Sequence, residues 1–275
     1  ADAHAKNHDY HLVDPSPWPF VGSISAFVLA VGAVTWMHGS NPAVMILGFL
    51  GVLYTMYMWW RDVIIEGNQN HHTPVVALHM RYGMLMFIAS EVMFFVAWFW
   101  AFFDASLFPG EAIQASRAVA TGGVWPPEGT VIFDPWHLPL VNTLILLTSG
   151  AFMAQAARDA QRGLWLKSRH MMIATLITGL PFGISKALEW KAKFDHGLSL
   201  TTNEFFTYYF VFTGIHFLHF VIGLGVLVVL MHTATDRQKS ATTRQRWIEA
   251  GGAYWHMVDL LWIVLFAMLY LLRAA

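Results

Sequence analysis

The sequence predicts an all-α integral membrane protein with seven transmembrane helices. Hydrophobic residues make up 56% of its 275 residues and charged residues only 12%, about half the charged share of an average soluble domain. The mean hydropathy is +0.49. Seven apolar segments are each long enough to cross a bilayer, which takes about 18 residues, and polar segments separate them.

Each apolar segment spans about 27–40 Å at the ~1.5 Å rise of an α-helix, which suits a bilayer crossed at varying tilt. In chain order the segments are residues 20–38, 43–60, 78–103, 138–157, 169–188, 205–231 and 251–272. Connections rich in Gly, Pro, Asn and Asp lie between them, at residues 40–42, 67–70, 125–129 and 195–197. These residue types end helices, so the segments are predicted to be separate spans.

The distribution of positive charge predicts the orientation. Of the 16 Lys and Arg residues, five fall on one side, and these are Arg117, Lys186, Lys191, Lys193 and Arg273. The others fall on the side of the N-terminus, which predicts a cytoplasmic N-terminus and an external C-terminus. Residues 1–19 are polar and have no apolar core, so we expect a segment at the membrane surface and no cleaved signal. Tryptophans such as Trp165, Trp247 and Trp255 lie near predicted helix ends and are interpreted as an interfacial belt.

Several kinds of function are disfavoured by composition. The net charge of −1 offers no basic face for nucleic acid. The absence of cysteine excludes disulfides, thiolate metal sites and a cysteine nucleophile. The chain has no His-Glu-x-x-His motif, no Glu-x-x-His pair and no glycine-rich phosphate loop. We therefore expect no self-sufficient active site and no cofactor held by this chain alone.

Glu91 is the most informative residue, because it lies near the centre of the predicted span 78–103. A charge at that depth is costly, so its carboxyl must be protonated, paired or open to a polar cleft. Two interpretations stay open. The carboxyl either fixes helix packing through a hydrogen bond or takes part in lipid or proton handling.

Two further pairs of polar residues lie in predicted spans, and each pair is three residues apart on one helix face. His216 and His219 could ligate haem, but two rings on one face cannot easily reach opposite sides of a porphyrin. Hydrogen bonding between helices or to lipid head groups is the favoured interpretation. In the second pair Asp259 can orient the imidazole of His256. A buried polar pair is favoured there over a catalytic dyad, because no third group or pocket is visible.

Longer motifs occur in order along the chain, at residues 59–64 (WWRDVI), 71–74 (HHTP), 90–95 (SEVMFF), 125–129 (WPPEG), 134–140 (DPWHLPL) and 254–259 (YWHMVD). Together they resemble cytochrome c oxidase subunit III, and residues 6–11 resemble its bacterial branch. The resemblance implies a seven-helix subunit with a two-helix plus five-helix V-shaped arrangement and phospholipid in the cleft. Residues 1–66 would then form a surface segment and helices one and two, and residues 67–275 a five-helix bundle.

The resemblance also implies a role in aerobic electron transport at the bacterial inner membrane. The subunit would pack mainly on subunit I, in a complex with subunit II, where it would stabilise subunit I and sustain turnover and proton uptake. Haem and copper are expected in those partners, and bound phospholipid in this chain. Residue by residue, the lipid-binding positions would be Trp60, His72, Glu91 and His219. His216, His256 and Asp259 also match family positions, without an assigned role.

Residues 151–213 depart from the family pattern, since residues 154–158 (AQAAR) stand where the family usually has Trp-Ala-His-His. Residues 201–216 are more similar to the subunit III-like proteins that accompany nitric-oxide reductases, which makes such an accessory role the alternative. An independent transporter is a third hypothesis, in which Glu91, His216, His219 and Asp259 would line an ion path. It is disfavoured because the sequence has no inverted repeat with paired broken helices.

Overall fold

The computed structural model describes residues 14–69, 72–110, 115–130 and 134–272, and within these ranges it has eight α-helices and no strand. The helices are α1 Trp18–Met37, α2 Ala43–Asn68, α3 Pro74–Leu107, α4 Ala115–Thr121, α5 Leu138–Gln161, α6 Trp165–Asp195, α7 Glu204–Thr235 and α8 Ala241–Phe266. A π-helical turn, Ala267–Leu271, continues α8. All but the short α4 are long and apolar enough to cross a membrane, which confirms the predicted class and the seven spans. The bacterial-type residues 6–11 and the predicted surface segment up to residue 13 lie outside the described ranges.

Several helices extend beyond the predicted apolar segments. Hydropathy marks only the part that crosses hydrocarbon, whereas backbone hydrogen bonding continues through polar residues until a cap ends it. The side chain of Asn203 caps α7 by accepting from the N–H of Phe206 at 3.0 Å. Ser240 caps α8 in the same way, accepting from the N–H of Thr243 at 3.1 Å. α8 therefore begins ten residues before the apolar run at residue 251.

The early start of α8 corrects the interpretation of Trp255. Because the helix begins at Ala241, Trp255 lies near its middle, and the side chain is 1% exposed. Its indole N–H donates to Ser149 Oγ on α5 at 3.1 Å. Trp262, two turns further along α8, donates to Thr143 Oγ1 at 3.0 Å. Trp255 is therefore a core residue whose single donor is satisfied inside the bundle, and its assignment to the interfacial belt was wrong.

By its contacts the chain divides between Tyr82 and Gly83, inside α3, into two compact units. The predicted division after residue 66 follows the connections between helices and remains a prediction. In the first unit α1 and α2 form a hairpin whose buried residues are Gly32, Gly48 and Thr55. A Cβ on Gly48 would collide with the backbone of Leu29, and one on Gly32 with the backbone of Met45. The two helices therefore touch backbone to backbone, as small residues allow in membranes.

In the second unit Arg117 on α4 joins the ends of two long helices. Its Nη1 donates to Asp104 Oδ2 of α3 at 2.8 Å, and its Nε lies 3.3 Å from Glu204 Oε1 of α7. Burial lowers the pKa of Arg117, but the hydrogen bond that it donates to Asp104 and the charge of Glu204 outweigh burial, so the pKa is raised. The guanidinium therefore stays charged at every pH the protein meets, and this contact fixes the connection that contains α4.

Replacing Arg117 by Gln is expected to loosen that connection, because two carboxylates lose a cation that is only 14% exposed. The expected loss is about 1–3 kcal/mol, the usual value for hydrogen bonds to charged groups. Limited proteolysis should then cleave near α4 several times faster than in the parent. Lys191→Gln is the control, because its pair with Asp195 is exposed on both sides and contributes little. Equal cleavage of the two variants would contradict the assignment.

Candidate functional site: a shared-proton pair in the membrane

Glu91 and His219 form the central polar contact of the second unit. Glu91 Oε2 on α3 lies 2.8 Å from His219 Nε2 on α7. The histidine side chain is 10% exposed and the carboxyl side chain 26% exposed. The carboxyl is therefore paired, one of the three states that its depth allowed, and it also retains some access to the surroundings.

The second nitrogen of His219 determines how many protons the pair carries. Nδ1 lies 2.8 Å from the carbonyl oxygen of Ile215, and a carbonyl can only accept, so Nδ1 carries a hydrogen and donates it. Nε2 then either donates to a carboxylate or accepts from a carboxylic acid. In both cases one proton is shared between Glu91 and His219, and the pair has no net charge. Such a pair costs far less in a bilayer than an isolated carboxylate.

Aromatic rings surround this pair. The ring of Phe95 meets the His219 ring edge-on at 5.6 Å, and Tyr254 of α8 stacks on it at 6.4 Å. The Tyr254 hydroxyl donates to the carbonyl oxygen of His219 at 3.3 Å. Phe87 and Phe94, which flank Glu91 on α3, are 45% and 46% exposed. The carboxyl therefore lies at an apolar surface of α3, within a span, and is held there by α7 and α8.

The other two predicted lipid positions belong to the first unit. Trp60, in the last third of α2, is 63% exposed. His72 precedes α3, and its ring packs against Gly67, where a Cβ would come within 3.0 Å of His72 Cε1. An exposed indole and a histidine near a helix end are side chains suited to head-group depth.

His216 and Asp259 are buried and join helices. His216 is 1% exposed, and its Nε2 lies 3.0 Å from the carbonyl oxygen of Val258 on α8. Asp259 Oδ2 lies 3.3 Å from His256 Nδ1, and the carboxyl occupies the space above Gly150 on α5. Asp259 Oδ1 is buried and has no hydrogen-bond partner in the part of the chain that the structure describes, whereas the side chain of His256 is 40% exposed. Within the described residues no group of three or more His, Asp or Glu side chains is arranged to hold a metal ion.

Sequence reasoning missed a buried ionic cluster at the end of α6. Lys186 is 1% exposed, and its Nζ donates to Glu189 Oε2 at 3.0 Å, Tyr209 OH at 3.1 Å and Tyr270 OH at 2.9 Å. Lys193 also donates to Glu189 at 2.9 Å. The orientation count treated both lysines as surface charges. A signal was present, since Lys186 and Glu189 are three apart on one helix face.

The chain was compared with known proteins. The family model described as "Cytochrome c oxidase subunit III" matches residues 8–273. "Cytochrome c oxidase subunit 3" of Arabidopsis thaliana is 39% identical over 271 residues, 97% of each chain. The protein of that name from Mus musculus is 40% identical over 270 residues, 96% of this chain and 97% of the relative. The one from Rattus norvegicus is 38% identical over 267 residues, with the same coverage.

These matches extend through residues 151–213, the stretch that departs from the expected pattern. An accessory subunit of a nitric-oxide reductase and an independent transporter are therefore not favoured. The resemblance found in the motifs is confirmed over nearly the whole length. The chain belongs to the cytochrome c oxidase subunit III family, and it is a membrane subunit of that oxidoreductase complex.

Proposed function

We propose that this chain is the non-catalytic, phospholipid-binding subunit III of a proton-pumping haem–copper oxidase. In this role it packs on subunit I, stabilises it, and sustains turnover and proton uptake while subunits I and II hold the haem and copper. The bacterial inner membrane is the proposed location, with the N-terminus cytoplasmic and the C-terminus periplasmic. The excess of Lys and Arg on the N-terminal side supports this orientation.

The observation that carries the lipid role is the Glu91–His219 pair. A carboxyl that already shares a proton with an imidazole can accept a hydrogen bond from a lipid head group without a net charge entering the membrane. Its apolar, exposed neighbours on α3 suit acyl chains. We propose that Trp60 and His72 contribute further head-group contacts, because both are polar-tipped side chains near helix ends.

Mild purification of the complex tests the assignment as a whole. A haem-bearing subunit I and a copper-bearing subunit II are expected to co-purify with the chain, in equal amounts and with phospholipid. The optical spectrum and the metal content identify them. Recovery of the chain alone, or with the subunits of another enzyme, would overturn the assignment.

Glu91→Gln is expected to keep the fold but weaken lipid retention. The amide nitrogen of Gln can donate to His219 Nε2 while Nδ1 still donates to Ile215, so the α3–α7 contact survives. Loss of a charge-assisted hydrogen bond corresponds to about tenfold weaker lipid binding. Lipid phosphorus per complex should fall, and activity should decay faster during sustained turnover. Asp195→Asn is the control, because that carboxyl is exposed at the end of α6. Unchanged lipid and unchanged inactivation in Glu91→Gln would refute the role of Glu91.

A further inference from the structure

Two connections of the second unit meet at one end and carry an excess of positive charge. With the adjoining helix ends they comprise residues 158–170, from the last turn of α5 to the start of α6, and residues 236–249, from the end of α7 into α8. Gln161 donates to Glu249 Oε1 at 3.3 Å, and the Arg244 guanidinium lies 4.1 Å from the centre of the Trp165 ring. The cationic patch is defined as the eight cations of these residues, Arg158, Arg162, Lys167, Arg169, Arg237, Lys239, Arg244 and Arg246.

The acidic residues of the same end do not neutralise this patch. Asp159 is buried and accepts from the side-chain amide of Gln155 at 3.0 Å. Glu249 accepts from the amides of Gln161 and Gln245. Asp236 pairs with Lys239 at 3.3 Å. Among the described residues, the other seven cations of the patch have no carboxylate within 4.0 Å.

At the opposite end of the second unit, the described cations do have carboxylate partners. Its four described cations, Arg117, Lys186, Lys191 and Lys193, each have a carboxylate partner within 3.3 Å. The preference for Lys and Arg on one side of a membrane accounts for how many cations lie there. That preference does not explain why seven of the described cations of the patch lack a carboxylate partner. The contrast indicates that the counter-charge of the cationic patch comes from outside the chain.

Two of these cations lie on the same side as Trp165, and neither has a carboxylate within 4.0 Å among the described residues. Arg244 stacks on Trp165 and donates from Nη1 to the carbonyl oxygen of Ala234 at 3.3 Å. Arg169 lies one turn after Trp165 on the same face of α6. The Nε of each guanidinium is buried and has no acceptor within the described residues. Because no described carboxylate pairs with either guanidinium, the charge of each is available to an oxyanion that reaches its accessible nitrogens.

We propose that the cationic patch binds the phosphodiester head groups of anionic phospholipids. Exposed apolar side chains beside the guanidinium groups favour an amphiphile over a soluble anion, since Leu164 and Leu166 are 40% and 61% exposed next to Trp165. Lys239 lies 5.6 Å from the ring of Trp247, which places a second cation against a tryptophan. Clusters of four to eight cations at the ends of membrane helices attract anionic lipid. This site is separate from Glu91. The proposal that it binds anionic lipid does not depend on which enzyme contains the chain.

The test compares lipid binding by the intact complex in nanodiscs of phosphatidylcholine with and without phosphatidylglycerol, followed by native mass spectrometry. We expect phosphatidylglycerol to be retained preferentially. Each cation removed should weaken its binding about fivefold, so the double variant Arg169→Gln with Arg244→Gln should bind about twenty-five-fold more weakly. Lys191→Gln, a paired cation of the opposite end, should bind as the parent does.

Further arms keep the proposal testable if the Arg244 variant folds poorly. Lys167→Gln with Arg246→Gln removes two exposed cations of the patch that make no side-chain hydrogen bond within the described residues, and it should also weaken retention. Raising the salt concentration should release the bound lipid from the parent, because exposed charges are screened. Equal retention of the two lipids, or an equal loss in Lys191→Gln, overturns the proposal. Displacement of the lipid by millimolar inorganic phosphate also overturns it, because the site would then serve a soluble anion.

Discussion

Glu189→Gln is expected to lower the free energy of unfolding of the second unit by about 3–5 kcal/mol. Glu189 accepts from Lys186, Lys193, Tyr209 and Tyr270, at distances from 2.6 to 3.0 Å. The side chains of the two lysines are only 1% and 11% exposed. Without the carboxylate, Lys186 loses its charged partner at a position that water reaches poorly, and Lys193 loses one of its contacts. Removing one member of a buried pair costs more than the pair itself contributes, because the remaining charge is left without compensation.

Removing Lys186 together with the carboxylate should recover the part of that loss that comes from the buried ammonium of Lys186. The double variant Lys186→Met with Glu189→Leu replaces the pair by apolar side chains among rings that already surround the ammonium group. Such replacements are often neutral. The midpoint of unfolding by denaturing detergent would be measured for the parent, the single variant and the double variant. Asp195→Asn is the matched control for loss of a carboxylate, and should cost less than about 1 kcal/mol because its pair is exposed. A double variant as unstable as Glu189→Gln would contradict this account.

The cluster around Lys186 also shows which part of the fold the sequence could not provide. Apolar length determines the number of spans, because every backbone polar group in a bilayer must be bonded within its own helix. The length of an apolar segment does not predict which residues far apart in the sequence come into contact. Tyr209 and Tyr270 are 23 and 84 residues from Lys186, so nothing local predicts that two helices bring their hydroxyls to it.

The candidate functional site also has a part that the sequence predicts and a part that it does not. Depth alone required Glu91 to be protonated, paired or open to a cleft, and the sequence could not select among these states. The state of Glu91 depends on His219, which is 128 residues away, and on the carbonyl of Ile215, one turn before His219. The contribution of Trp60 and His72 to lipid binding remains a prediction. The interfacial placement of Trp255 was wrong because hydropathy located the beginning of the apolar run, while a serine cap located the beginning of the helix.

Gly48→Val is expected to lower the free energy of unfolding of the first unit by about 3 kcal/mol, at the upper end of the usual cost of overpacking. The new Cβ would meet the backbone of Leu29, which cannot rotate away as a side chain can. α1 and α2 must then move apart along their whole length. Van der Waals contact is the main attraction between helices in lipid, so the hairpin has little else to replace it. Of the described residues of α1 and α2, three are buried, and these are Gly32, Gly48 and Thr55.

Gly225→Val in α7 is the matched control for this substitution. It introduces the same residue into a helix and so incurs the same difference in helix propensity, but a Cβ at Gly225 has no other atom within 4 Å. We expect Gly225→Val to change stability by less than about 1 kcal/mol. Unfolding by detergent and protease cleavage between α1 and α2, at residues 38–42, would be measured for both variants. If both lose stability equally, the effect is common to Gly→Val in either helix and the backbone contact does not explain it. If only Gly48→Val opens the connection, the hairpin depends on that contact.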